Sequence, residues 1–191
     1  MTACELFEEG GRRHFVTRRF DRDGPMKLHV QSFGALWHLD HHRSGVHSYE
    51  LALNTVRRLG MGADEVEQLF RRMLFNIVAC NEDDHVKNIA FLLDRDSNAW
   101  TLAPAFDLTH VHVPDDVLGS GHAMTVNEKT KRFELADVLE CAESAQLQRR
   151  RPREILAEVL DAVRQWPTFA ENARVPEEIA DAIGKDHLVG W

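Results

Sequence analysis

Asp83 and Asn88 stand five residues apart in the segment ACNEDDHVKNIAFLLD, residues 79 to 94, with His85 and Lys87 between them. Polar or charged side chains run almost unbroken from Asn81 to Asn88, yet an apolar segment lies on each side, FRRMLFNIVAC before and IAFLL after. A polar loop anchored in a core at both ends is a held loop, and held loops carry sites. The chemistry these residue types can do is phosphoryl transfer. There an Asp accepts the proton of the attacking hydroxyl, while an Asn five residues later and a second, downstream Asp hold Mg²⁺ on the nucleotide phosphates. Oxygen donors suit a hard cation, and Mg²⁺ takes one or two of them from protein and leaves the rest to phosphate and water. The downstream carboxylate is Asp107 in PAFDL.

A hairpin must bring Asp107 back to the loop. IAFLLD has the composition of a short strand, DRDSNA of a turn, and WTLAP of a returning strand that ends at Pro104. Arms of about six residues at roughly 3.3 Å per residue go out about 20 Å and return. Asp83, Asn88 and Asp107 are therefore expected at one end of the ribbon. The alternative for each alone is a cap or turn residue, the common work of Asp and Asn in loops. Asp94, Asp96 and Asn98 match the start of a calcium loop, but Ala99 stands where Gly is needed and Ala105 where Glu is needed, which leaves a plain turn.

Around the hairpin the pattern is helical. SYELALNTVRRL, residues 48 to 59, has an apolar stripe with Ser48 as cap and Gly60 as stop, and a second helix over about 64 to 80 leads into the polar loop. Further helices are expected over 133 to 144, 152 to 166 and 176 to 187, the last opened by Pro176, Glu177 and Glu178. HFVTRRF, residues 14 to 20, reads as a lone strand stopped by DRDGP. The loop after Asp107 carries Pro114, Gly119 and Gly121. The fold class is mainly α with a small β-hairpin, α+β, in a single domain over 1–191.

The chain has 191 residues, of which 43% are apolar and 28% charged, as in an ordinary globular domain. A formal charge of −8 excludes a general nucleic-acid surface, which needs clustered Lys and Arg; the basic knot QLQRRRPRE, 146 to 154, reads as a solvated helix entry. Cys4, Cys80 and Cys141 are odd in number and far apart, and neither a secretory leader nor a run of about 18 apolar residues is present. A soluble protein of a reducing cytoplasm, with no membrane contact, is the expectation. Cys80 reads as a small buried hydrophobe, with no partner base identifiable. His38, His41, His42 and His47 invite a zinc reading, but their irregular spacing suits a solvated loop. His110 and His112, alternating with Val111 and Val113, would share one face of a short strand near Asp107.

DDHVKN followed by WTLAPAFDL resembles the C-terminal kinase lobe of the HipA family of bacterial toxin kinases, whose pattern is D-x-H-x-K-N and then Pro-x-aromatic-Asp-Leu. RRFDR at 18 to 22 resembles the family's hinge, VQSFGAL at 30 to 36 its loop leading to the helices, and GHAMTVNEKTKRFELADV its stretch after the metal-binding Asp. The resemblance implies a hinge region over 1–25, a helical pair over 48–80, catalytic loop, hairpin and metal-binding Asp over 81–107, and a helical bundle over 130–191. It implies Asp83 as catalytic base, Asn88 and Asp107 as Mg²⁺ ligands, His85 and Lys87 as nucleotide contacts, and the backbone at Arg18, Arg19 and Phe20 facing the adenine of ATP. Asp84 departs from the small residue usual in the family, and a second carboxylate beside the base would raise the pKa of one of them.

The same resemblance implies a serine/threonine kinase of a toxin-antitoxin system, a DNA-binding antitoxin partner, and a translation-related protein substrate such as an aminoacyl-tRNA synthetase. A complete kinase also needs a small lobe with a phosphate-covering loop and a strand Lys. Gly10-Gly11 comes too early to serve, and Gly119 to Gly121 follows the metal-binding Asp. A large lobe alone is expected. Either a separate N-terminal chain completes it, or it is a non-catalytic remnant or interaction module. A lobe without its partner should expose an apolar patch around Phe15, Val16, Phe20 and the hairpin.

Overall fold

The computed structural model describes residues 1–114, 117 and 120–191; Gly119 lies outside the described residues. In chain order the elements are β1 (Cys4–Glu9), β2 (Arg12–Thr17), β3 (Arg22–Asp23), β4 (Met26–Lys27), β5 (His29–Ser32), α1 (Phe33–Trp37), β6 (His47–Ser48), α2 (Tyr49–Arg58), α3 (Ala63–Val78), β7 (Ala90–Leu93), β8 (Trp100–Leu102), β9 (Met124–Thr125), α4 (Leu135–Ser144), α5 (Arg151–Val163), α6 (Trp166–Asn172) and α7 (Glu177–Asp186). The α+β class expected from the sequence is the one observed.

The core is built around α3. Its apolar stripe, Val66, Leu69, Phe70, Met73, Leu74, Ile77 and Val78, is buried along its whole length. Leu53 and Val56 of α2 and Ile155, Val159 and Leu160 of α5 are buried with it in one cluster. Ser48 caps α2, its Oγ accepting from the Leu51 amide at 3.2 Å, and Gly60 follows the helix at φ +80°. Arg151 does not lie in a free basic knot. It is bonded to Glu67 of α3 and Glu154 of its own helix.

Six strands escaped the sequence reading, β1, β3, β4, β5, β6 and β9, and two of them change the architecture. HFVT does not stand alone: β1 and β2 form an antiparallel hairpin with Leu6 opposite Phe15 and Glu8 opposite Arg13. Gly10 and Gly11, at φ +57° and +74°, make its two-residue turn, where both positions need positive φ. Every residue of both strands is exposed, so no alternation of burial marks them in the sequence. The second is β5, which pairs antiparallel with β7 and turns the expected two-stranded ribbon into a three-stranded sheet ordered β5-β7-β8. The ribbon is also shorter than six residues per arm. Asp94 Oδ1 accepts from the amides of Asp96 and Ser97 in its turn, as a plain turn requires.

The segment 30 to 36, expected as a loop, is the end of β5 and the start of α1. The first N–H groups of a helix have no partner within it. Here the amide of Phe33 donates to the Ile89 carbonyl at 2.8 Å and that of Gly34 to the Val86 carbonyl at 3.0 Å, so α1 fastens the end of the polar loop. No helix among the described residues is long and apolar enough to cross a membrane.

Candidate active site

Helix α3 ends in a Schellman arrangement: the Asn81 amide bonds the Asn76 carbonyl at 2.8 Å and the Cys80 amide the Ile77 carbonyl at 3.3 Å. Cys80 occupies the left-handed position of that motif at φ +56°, where glycine is usual. The chain then bridges, Asn81 against Val111, with the Glu82 amide donating to the Val111 carbonyl and the Val111 amide to the Cys80 carbonyl. Two distant segments, 80–82 and 111–113, are thus locked side by side.

A buried polar chain runs inward from this point. Asn81 Nδ2 donates to Asn76 Oδ1 at 3.0 Å and reaches the Asp107 carbonyl at 3.4 Å; Asn76 Nδ2 donates to the Tyr49 hydroxyl at 2.9 Å; and that hydroxyl donates to Asp84 Oδ2 at 2.7 Å. Asp84 also accepts from the amides of Ala123 and Met124 and faces His122 Nδ1 at 3.0 Å. Burial, and next the charge of Asp84, push the Tyr49 phenol well above its ordinary value. Asp84 therefore does not lie beside Asp83 as a second exposed carboxylate. It is 2% exposed and anchors the loop to residues 122–124, whereas the Asp83 side chain is exposed.

Asn88 Nδ2 donates to the Asp83 carbonyl at 2.9 Å, which fixes the carboxamide and leaves its Oδ1 on the other side. Across the ribbon the Ala103 amide bonds the Ala90 carbonyl, so Asn88 and Ala105 arrive level with one another. Asn88, Ala105, Phe106 and Asp107 line one narrow recess together with Tyr49, Asn76, Asp84 and Arg72. Asp107 sits at φ +56° with an exposed side chain. Of the three oxygen-bearing residues, then, Asn88 and Asp107 border one recess, and Asp83 is tied to Asn88 through its backbone.

Arg72, which the sequence reading passed over, has a guanidinium Nη2 that donates to the Ala103 carbonyl at 2.7 Å. Its Nη1 is buried without a hydrogen-bond partner among the described residues, and burial lowers its pKa to about 10. Asn76 was missed as well. The available signal was a polar residue inside the apolar run MLFNIVA.

The histidine loop is not merely solvated. Lys87 Nζ lies 3.0 Å from His41 Nε2, and the His41 ring stands edge-on to that of His85, centroids 5.5 Å apart. Burial first, then His42, Lys87 and His85, lower the His41 pKa, which disfavours a charged ring beside the lysine. His85 Nδ1 is buried with no partner among the described residues. At the expected hinge, the Arg18 amide bonds the Ala3 carbonyl and the Arg19 guanidinium is held by Asp21. Phe20 packs on Phe106, ring centroids 5.5 Å apart, which sets the hinge against the residue preceding Asp107. Phe15 and Val16 are exposed, as are Leu6 and Phe7, but Phe20 is half-buried and outside that patch.

His110 and His112 take separate partners. His110 Nε2 meets Asp186 Oδ2 at 3.0 Å, and His112 Nδ1 lies 3.2 Å from Glu82 Oε1 and 3.5 Å from Cys80 Sγ. Cys80 thus has a neighbouring imidazole that its position in sequence does not reveal. Burial, with Glu82 and Asp186 adding to it, pushes its thiol up to about 12.

The profile of the HipA-like C-terminal domain family matches residues 1–166. A comparison with curated proteins finds no match. Among solved structures, the chain is similar to one in the Shewanella oneidensis MR-1 toxin-antitoxin complex of HipA, HipB and operator DNA, with a TM-score of 0.75 at 16% identity. The match covers 96% of this chain and 48% of that one, so the chain spans about half the length of the solved relative. At that identity the likeness concerns the fold.

Proposed function

The chain belongs to the HipA-like C-terminal domain family, and from that premise we propose that it serves Mg²⁺- and ATP-dependent phosphoryl transfer to a serine or threonine hydroxyl of a protein. The observation that carries the reading is the recess shared by Asn88 and Asp107, with Asp83 bonded through its carbonyl to the Asn88 carboxamide. The donor set fits the metal: two side-chain oxygens, one amide and one carboxylate, are the kind and number that Mg²⁺ takes from protein. Mg²⁺ and ATP, when bound, supply the electrophilic phosphoryl group and neutralise its charge.

The protein's own groups divide the remaining work. Asp83, exposed beside the recess, accepts the proton of the substrate hydroxyl. Asn88 presents Oδ1 because its Nδ2 is already spent on the Asp83 carbonyl. Asp107 is aimed by a left-handed backbone that the Asn81 bond to its carbonyl helps to hold. Arg72 keeps a positive charge with an Nη1 that has no partner among the described residues, and His85 and Lys87 add donors on the outer side, which together suit an anionic ligand. Phe20 against Phe106 makes an apolar ledge suited to a base, with the backbone of Arg18 to Phe20 alongside.

The partners proposed with this activity are an antitoxin, as HipB accompanies HipA in the similar complex, and a translation-related protein substrate such as an aminoacyl-tRNA synthetase. A second reading, a non-catalytic interaction module, is favoured by the exposed Leu6, Phe7, Phe15 and Val16 of the first hairpin, a face suited to an N-terminal lobe or antitoxin chain. Calorimetry with Mg²⁺ and ATP separates the two. Wild type should release magnesium-dependent heat that Asp107→Asn loses; absence of that heat in wild type would leave only the interaction module.

A further inference from the structure

We propose that Cys80, Glu82 and His112 form a zinc-class metal site, separate from the magnesium site, that clamps the polar loop to the segment after Asp107. The ligand atoms Cys80 Sγ, Glu82 carboxylate oxygen and His112 imidazole nitrogen all lie within 4.8 Å of one another. Zinc–sulfur bonds of about 2.3 Å and zinc–nitrogen or zinc–oxygen bonds of about 2.0–2.1 Å at tetrahedral angles require S–N edges of about 3.5 Å and N–O edges of about 3.3 Å. The structure has 3.5 Å from Cys80 Sγ to His112 Nδ1 and 3.2 Å from His112 Nδ1 to Glu82 Oε1.

The surroundings are those of a prepared site. Glu82 Oε2 accepts from the Val113 amide at 2.6 Å, an outer bond that orients the carboxylate and leaves Oε1 for the ion. Cys80 is held in a left-handed conformation that a non-glycine residue rarely adopts, and its thiol lies against His112. Asn81, between the two ligands, turns the opposite way into the core. The thiol is buried and the imidazole is partly exposed, so an ion enters from the His112 side and solvent fills the fourth position. Binding forms one bond each to sulfur, nitrogen and oxygen in exchange for water ligands of the aqua ion, leaves the imidazole proton on Nε2 and releases the thiol proton to water. A thiolate with an imidazole selects zinc over magnesium, whose preferred ligands are oxygens.

The same distances also suit a hydrogen-bonded trio, with Nδ1–H donating to Glu82 and the thiol still protonated. Cobalt(II), the spectroscopic stand-in for zinc, tells them apart. Titrated into the full chain, one Co²⁺ per chain should give a thiolate-to-metal charge-transfer band and the intense visible bands of tetrahedral cobalt, and zinc should displace it and raise Tm. Both band sets should vanish in Cys80→Ser and His112→Ala and persist in Cys4→Ser, Cys141→Ser and His41→Ala. His112→Ala keeps the test decisive if Cys80→Ser does not fold, because His112 sits at the surface. No charge-transfer band in wild type, or one that survives His112→Ala, would overturn the site. Neither result depends on phosphoryl transfer.

Discussion

The hydroxyl of Tyr49 bridges Asn76 and Asp84, accepting from the first at 2.9 Å and donating to the second at 2.7 Å. One phenol therefore joins α2, α3 and the polar loop, and all three residues are buried. Tyr49→Phe leaves a buried carboxylate short of a donor and a buried carboxamide short of an acceptor. The expected cost is about 1–3 kcal/mol, measured as a lower urea midpoint at unchanged slope.

Asp83→Asn removes the proposed base without touching the Asn88 bond, which uses the Asp83 carbonyl. Nucleotide affinity should stay within about twofold while the transfer rate falls by about 10²-fold or more, in the range that general bases contribute. An equal loss in calorimetric binding and in turnover would contradict that assignment.

Gly34→Ala places a Cβ 2.9 Å from Val86 Cγ2, and the side chain it meets belongs to the polar loop. The expected destabilisation is about 1–3 kcal/mol, as for other overpacked sites. Val86→Ala in the same chain should recover part of it, so that the two changes are not additive in a double-mutant cycle.

Asp137 is 3% exposed, and although burial alone would raise its pKa, the Lys129 ammonium, the Glu134 amide and Asn127 together hold it below 3.8. A carboxylate with a lowered folded pKa contributes stability that is present above the unfolded value and is lost as pH falls through the folded one. Asp137→Asn should cost about 1–3 kcal/mol at neutral pH. The gap between variant and wild type should narrow below about pH 4, read by thermal unfolding across that range.

How much of this was legible follows from which interactions are local. Ser48 as a cap, Gly60 as a stop and the stripe from Val66 to Val78 are set by neighbours three or four positions away, so period and cap chemistry reveal them. The exposed β1–β2 hairpin gave no burial signal, and β5 is recognisable only once β7 lies beside it. The short helix Trp166–Asn172 falls between the helices expected over 152 to 166 and 176 to 187, because seven residues with Pro167 at the start carry too little apolar period to reveal a helix.

The sequence by itself determined the class of the fold, the residues of the polar loop and their likeness to a kinase lobe, because those depend on residue type and spacing. Tertiary structure alone decided which side chains face which. It sent Asp84 into the core and left Asp83 outside, placed Arg72 in one recess with Asn88 and Asp107, and carried His112 to Cys80 across thirty-two positions. The physical reason is that adjacent residues on a turning chain point in different directions, and only the packed partners, Tyr49, His122 and the amides of 123 and 124, determine which direction is buried.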